Sequence, residues 1–324
     1  MRSIFCTFAV NLSSILQLKD FHKIYSQHPL IRQMCEWGKG TDKHLTVGSL
    51  FASAKQMAVA EMFNNTQKPI LFVAENADEA GYAYFDIAQI IEQENVAFFP
   101  ALYKKVNKSG ATDKANEILR TDALNKINNL TSCIIVTYPD ALMEKVISFN
   151  GFDEIKITLK KNQNFDTILL QNQLEEFGFE QVDFVYEPGQ FSVRGSIIDV
   201  FSFANELPYR LDFFGDTLES IRTFDIEKQL SIKEVGEMAI IPDISHCHFE
   251  TISLFEFVPK ETIVLFNSIK NCAERIDEIY TEALVKENEQ HKTPDLFSKF
   301  INGEIFKNQI VEFRIVEFLN KTRL

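Results

Sequence analysis

Three stretches of this 324-residue chain hold side chains that could do chemistry. The first is Gly48-Ser49-Leu50-Phe51-Ala52-Ser53-Ala54-Lys55-Gln56, between an apolar run, His44 to Val47, and a helical stretch, Met57 to Phe63. A phosphate-binding loop at such a place needs glycines for close backbone approach, a lysine for phosphate charge and a Ser or Thr for magnesium. With Lys55 as the motif lysine, Ser49 and Ala54 stand at the two glycine positions and Gln56 at the hydroxyl position. Ala54 adds a Cβ where the backbone should approach phosphate, and Gln56 has no compact hydroxyl for a metal. The expectation is a loop kept as scaffold, with no nucleotide or magnesium bound. The second stretch, His246-Cys247-His248, could place both histidines on one face of a strand. A metal site needs three or four ligands, and no further cluster is visible, so no metal is expected.

The third stretch runs from Tyr186 to Phe224. Glu187-Pro188-Gly189-Gln190 has the type II turn signature, and Gly215-Asp216 fits a two-residue type II′ hairpin loop. Side chains alternate between faces along a strand. From Tyr209 to Phe214 the odd positions Tyr209, Leu211 and Phe213 make one apolar face, and Arg210, Asp212 and Phe214 make the other. In the preceding run, read as one strand, Phe191, Val193 and Ile197 share a face while Ser192, Arg194 and Ser196 point away. If both outward faces lie on one side, Arg194, Arg210 and Phe214 form a surface of two cations and an aromatic ring. Arginine and aromatics are enriched at interface hot spots. The plainer alternative is that Phe214 turns inward at a bulge beside Gly215 and both arginines form local ion pairs.

These residues must be positioned by more than one domain. The length suggests two or three, and 45% hydrophobic residues with 30 Phe supply ample core. Thirty-three Lys plus Arg against 46 Asp plus Glu leave a formal charge of −13. Nucleic-acid binding rests on cations that neutralise phosphates, so weak or no DNA binding is expected and protein partners are favoured. The five cysteines are dispersed and odd in number, which suits reduced thiols in a cytoplasmic protein. Nothing approaches the length of a membrane span, and Met1 to Val10 lacks a cleavage site.

Helical spacing of Ile15, Leu16, Leu18, Phe21, Ile24 and Tyr25 predicts a helix ending before His28-Pro29. Strands at 44–47, 70–74, 96–99 and 134–137 alternate with helices at 57–63, 78–92 and 115–130, which predicts a parallel sheet. From 154 to 242 an edge strand, a helix at 166–177, a strand at 181–186 and the hairpins predict a small α+β domain with one free sheet face. Residues 243–324 contain a buried strand at 261–266, a charged helix at 269–288 and a last strand at 310–318. This segment is expected to return and pack against the first.

The motifs Glu187-Pro188-Gly189-Gln190-Phe191, Arg194-Gly195, Ile198-Asp199, Leu207-Pro208-Tyr209-Arg210, Phe213-Phe214 and Ile221-Arg222-Thr223-Phe224-Asp225 carry a resemblance. They resemble the signature shared by the excision-repair protein UvrB and the N-terminal part of the transcription-repair coupling factor, Mfd, with the wording closer to the latter. The resemblance implies an α/β fold: a degenerate P-loop-type parallel-sheet domain, 1–153 (domain 1a) with a returning 243–324 (domain 1b), and an inserted α+β module, 154–242 (domain 2). It implies a non-catalytic adaptor that docks on UvrA through Arg194, Arg210 and Phe214, a surface that the intact parent could mask. It also implies that a longer parent uses ATP and magnesium in a separate motor, binds RNA polymerase and moves on double-stranded DNA. A motor of this family would carry acidic residues where Asn267-Ser268 follow the 261–266 strand. Two other readings are a UvrB-type helicase subunit, which needs a working phosphate loop, and an autoinhibitory clamp on the parent's own motor. Replacing both arginines by alanine is expected to weaken UvrA binding with the fold intact.

Overall fold

The computed structural model describes residues 25–48, 50, 52–102, 114–130, 132–205, 207–244, 250–289 and 299–319. Most of the helix expected at 15–25 therefore lies outside the described residues. Helix α1 (Pro29–Lys39) begins where the sequence suggested only a break. Pro29 occupies the first turn, where a missing N–H leaves no hydrogen bond unmade, and the His28 ring accepts from the Leu30 N–H.

The alternation then runs as expected through β1 (His44–Gly48), α2 (Ala54–Thr66), β2 (Ile70–Val73), α3 (Ala77–Ala88), β3 (Val96–Phe98), α4 (Lys114–Asn129) and β4 (Ile134–Thr137). Every residue of β2 (ILFV) and β4 (IIVT) is buried. Uninterrupted apolar runs of this kind suit a parallel sheet covered on both faces. Strand β5 (Val146–Ile147) and helix α5 (Phe149–Glu154) precede the middle unit.

That unit comprises β6 (Ile157–Lys160), α6 (Thr167–Glu176), β7 (Glu180–Gln181), β8 (Gln190–Arg194), β9 (Ile197–Val200), β10 (Tyr209–Phe214), β11 (Thr217–Phe224), β12 (Ser231–Val235) and β13 (Glu237–Ile240). After it come β14 (Thr251–Ile252), β15 (Ile263–Phe266), α7 (Ile269–Glu289), α8 (Gly303–Ile310) and β16 (Arg314–Leu319). Helix α8 takes the first residue of what was read as the last strand.

The large sheet is six-stranded and parallel, in the order β1-β16-β15-β2-β4-β3. The C-terminal segment thus does more than pack on the first: β16 and β15 fill the sheet between β1 and β2. One apolar core joins both chain segments. Phe72 on β2 meets Phe318 on β16 edge to face at 6.4 Å between centroids. Phe255, Phe266 and Phe306 interlock nearby. Burying each such ring is worth roughly 2–3 kcal/mol, and the Phe72–Phe318 contact ties the two segments into one domain.

The middle unit has its own core. Its sheet runs β12-β11-β10-β9-β8-β7, antiparallel except where β7 pairs parallel with β8. Leu170 and Leu174 of α6 pack under it against Phe191, Ile198, Leu211 and Phe213. Asp166 starts α6 by accepting from the Ile168 and Leu169 N–H groups. Two expectations are corrected here. The run from Phe191 to Ile197 is a hairpin, not one strand: Gly195, at φ +63°, and Ser196 turn the chain so that Arg194 faces Ile197. The strand expected at 181–186 stops after Gln181, and the chain then crosses to the other side of the sheet.

Candidate functional site

The face of this sheet opposite α6 carries the residues singled out from parity. Directly opposed residues on neighbouring strands point to the same side. One row crosses the sheet as Ser192, Asp199, Arg210, Arg222 and Glu234, and a second as Arg194, Ile197, Asp212 and Ser220. Phe214 lies farther out, opposite Thr217 at the hairpin tip. Alternation along β10 is unbroken: Leu211 and Phe213 are buried, and Phe214 is 77% exposed. A register shift between Asp212 and Phe213 places the extra residue, Glu219, on β11, so β10 keeps its phase. The bulge is real, yet Phe214 does not turn inward. Gly215 has φ +60° and the following Asp216 has no positive φ, as a type II′ turn requires.

The arginines are held rather than free. Asp199 is completely buried and accepts two parallel bonds from Arg210, Nε to Oδ1 and Nη2 to Oδ2, both at 2.8 Å. The Arg194 guanidinium bonds to the same Oδ2. Arg210 also donates to the Gln229 carbonyl at 3.1 Å and stacks on Phe224 at 4.6 Å. Its side chain is only 15% exposed, and the hydrogen bonds it donates to Asp199 raise its pKa above the usual arginine value. Arg194 stacks on Phe184 at 4.9 Å and keeps 35% of its side chain exposed. Arg222, directly opposite Arg210, is taken by Asp212 at 3.2 Å.

The expectation of two guanidiniums open to water is therefore corrected: Arg194 is half-covered and Arg210 nearly covered. The carboxylate that covers them was missed, although the sequence held a signal. Asp199 stands between Ile198 and Val200, so a strand that turns its neighbours inward turns Asp199 toward the arginines. The outer face is also not bare throughout. Val185, Phe201 and Phe224 form a small second core on it, joined by Val182 and Ile226.

The degenerate loop lies at the carboxyl ends of the parallel strands. Ser49 lies outside the described residues. Ala54 is the first residue of α2. The Lys55 Nζ donates to Asn267 Oδ1 at 2.9 Å, just beyond β15. Thus the two positions that a nucleotide site would use do meet, but as a lysine–amide pair. Burial lowers the Lys55 pKa, opposed by the nearby Glu75 and Glu79. The Gln56 Oε1 is buried without a hydrogen-bond partner. Beside them opens a cleft of about 330 Å³ lined by residues including Glu75, Asn267, Arg275 and Glu278. Asp140 holds its one arginine, at 2.9 and 3.1 Å. Its acidic lining would repel a triphosphate.

His246-Cys247-His248 lies outside the described residues, and among those described no group of three His, Cys, Asp or Glu could hold a metal. No helix among them is long and apolar enough to cross a membrane.

Comparison with known proteins places this geometry. Residues 157–246 match the family model described as the UvrB interaction domain. The chain is 28% identical over 200 residues to the transcription-repair-coupling factor of Escherichia coli, covering 60% of this chain and 17% of that protein. The corresponding factor of Myxococcus xanthus is 37% identical over 102 residues, covering 32% and 8%. UvrABC system protein B of Treponema denticola is 24% identical over 292 residues, covering 85% and 42%. The chain thus spans about a sixth of the coupling factors it matches first, at 17% of their length. Residues 157–246 thus carry the pattern of a UvrB interaction domain, within a chain similar along most of its length to UvrB and to the transcription-repair-coupling factors.

Proposed function

We propose that this chain is a protein-docking adaptor of nucleotide excision repair, which brings UvrA to a transcription-repair coupling factor through the outer sheet face of residues 157–246. The observation that carries this reading is the exposed Phe214 ring on the same sheet face as the Asp199-held Arg194 and Arg210, inside the residues that match the interaction domain. Phe214 supplies an apolar anchor for a desolvated pocket, and the outward edges of the arginines supply charge-assisted hydrogen bonds.

The chain itself does no catalysis in this reading. Lys55 is satisfied by Asn267, Gln56 replaces the magnesium hydroxyl, and no ATP or magnesium is used by this part. RNA polymerase, double-stranded DNA and an ATP-driven motor belong to a longer parent acting in the cytoplasm. The net charge of −13 supports weak or no DNA binding by the chain.

Calorimetric titration of the chain with UvrA tests the assignment. Phe214→Ala is expected to lower affinity by about 2 kcal/mol or more, and unchanged affinity removes Phe214 from the interface. Titration with Mg-ATP is expected to give no binding isotherm. A measured isotherm would favour the UvrB-type helicase subunit instead.

A further inference from the structure

The geometry points to Asp199 as the positioning residue of the docking face: it fixes Arg194 and Arg210 as oriented donors and cancels one of their two charges, so that the face fits a partner patch with a single carboxylate beside an apolar pocket rather than an acidic cluster. This rests on the UvrA reading above and goes beyond it by naming what makes the face selective and what chemistry it selects.

Asp199 is completely buried, yet both its oxygens are engaged by side chains of the outer face. The two parallel bonds to Arg210 leave that planar fork one orientation, and stacking on Phe224 fixes its plane. Arg194 is fixed from the other side by Phe184 and by the Asp183 carbonyl, at 3.4 Å. With Asp199 counted, the Arg194–Asp199–Arg210 group carries a net charge of +1. The next pair, Arg222 with Asp212, adds none. A surface of this kind is a poor attractor of highly acidic partners at long range. It is suited to short-range recognition, in which donors already aligned lose little freedom on binding.

The test is UvrA affinity of the full chain carrying Asp199→Asn, measured alone and in the Arg194→Ala, Arg210→Ala background. The amide keeps the shape, removes the charge and turns an N–H donor toward guanidinium donors. The expected result is a tenfold or greater loss in the otherwise wild-type chain and no further loss in the double-alanine background, because Asp199 acts only through the arginines. Unchanged or tighter binding by Asp199→Asn would overturn the inference, since a face driven by net positive charge would gain from the substitution. A loss of the same size in the double-alanine background would also overturn it, as it would mark a purely structural role.

Arg210→Lys carries the same question if Asp199→Asn does not fold. It keeps the charge and abolishes the fork, and a tenfold loss is expected where unchanged affinity refutes. The proton–nitrogen NMR signals of the Arg194 and Arg210 side chains give a readout without UvrA: slow exchange in the wild type, lost in Asp199→Asn. If the wild-type chain binds no UvrA, the docking reading falls and takes this inference with it. Wild-type affinity retained by Asp199→Asn sinks the inference alone.

Discussion

Asp199 changes what the arginine substitutions mean. Removing Arg194 and Arg210 together strips a fully buried carboxylate of its side-chain partners. Breaking a buried pair by deleting one side costs about 3–5 kcal/mol. The double-alanine chain is therefore expected to lose stability by that order in urea denaturation, a cost that the sequence-based expectation of an intact fold did not include. Adding Asp199→Asn to it should restore part of the loss, because no charge is then left unpaired. Phe214→Ala contrasts with this. With 77% of Phe214 exposed, its removal should change stability by less than about 0.5 kcal/mol, so its effect on partner affinity can be read without correction. Of the three site residues, the sequence made Phe214 fully legible, because alternation along one strand is a local property. The state of the arginines was legible only in part: alternation turns Asp199 to their face, but its pairing with Arg210, eleven residues on in sequence, is made across the sheet.

Among the elements, the outer sheet face proposed for docking depends on turns that hold register. A one-residue slip would exchange the faces of a strand, burying Arg210 and exposing Leu211. Gly189 sits at φ +86°, and a Cβ there would lie 2.9 Å from the Phe203 ring. Gly189→Ala therefore meets both left-handed strain of about 1–2 kcal/mol and a ring that Phe179 packs edge to face at 6.2 Å. A drop of about 2 kcal/mol or more in denaturant stability is expected, and a wild-type midpoint would show that the turn relaxes at no cost. Gly195 and Gly215 each lack any neighbour within 4 Å of an added Cβ. Alanine there should cost only the backbone strain. The Gly195-Ser196 hairpin was readable, since Gly-Ser between two apolar runs is a two-residue turn signal; the apolar run simply concealed the break. Helix α1 was hidden because Pro29 ends a preceding helix as readily as it starts a new one.

For the whole molecule, the large core couples the two ends of the chain, and its thiols report on it. Cys35, Cys133 and Cys272 are free and buried. Burial raises Cys35 from 9.0 to about 11 and Cys133 from 9.0 to about 12. A raised thiol pKa favours the protonated folded state: its contribution is whole below pH 9, where both states hold the proton. It is then lost as pH rises through the folded values, because the unfolded chain ionises first. Stability should accordingly be flat with respect to these thiols up to about pH 9 and fall between about pH 9 and 12. Replacing Cys35 by Ala should shallow that fall, as measured by urea denaturation across the range. All three thiols should resist alkylation until the parallel sheet opens.

Local pattern was enough to set the classes of unit and their order, because apolar runs, alternation and turn residues act within a few positions of one another. The sequence also set Ala54 and Gln56 where a phosphate loop would hold a glycine and a hydroxyl, which is a matter of which side chains stand at fixed spacings. The folded chain was needed to show that β15 and β16 enter the sheet between β1 and β2, that Lys55 meets Asn267, and that a buried aspartate grips both arginines. Each of these joins residues far apart along the chain or across strands. Such pairings are chosen by the packing and charge balance of the whole fold, which no local pattern contains.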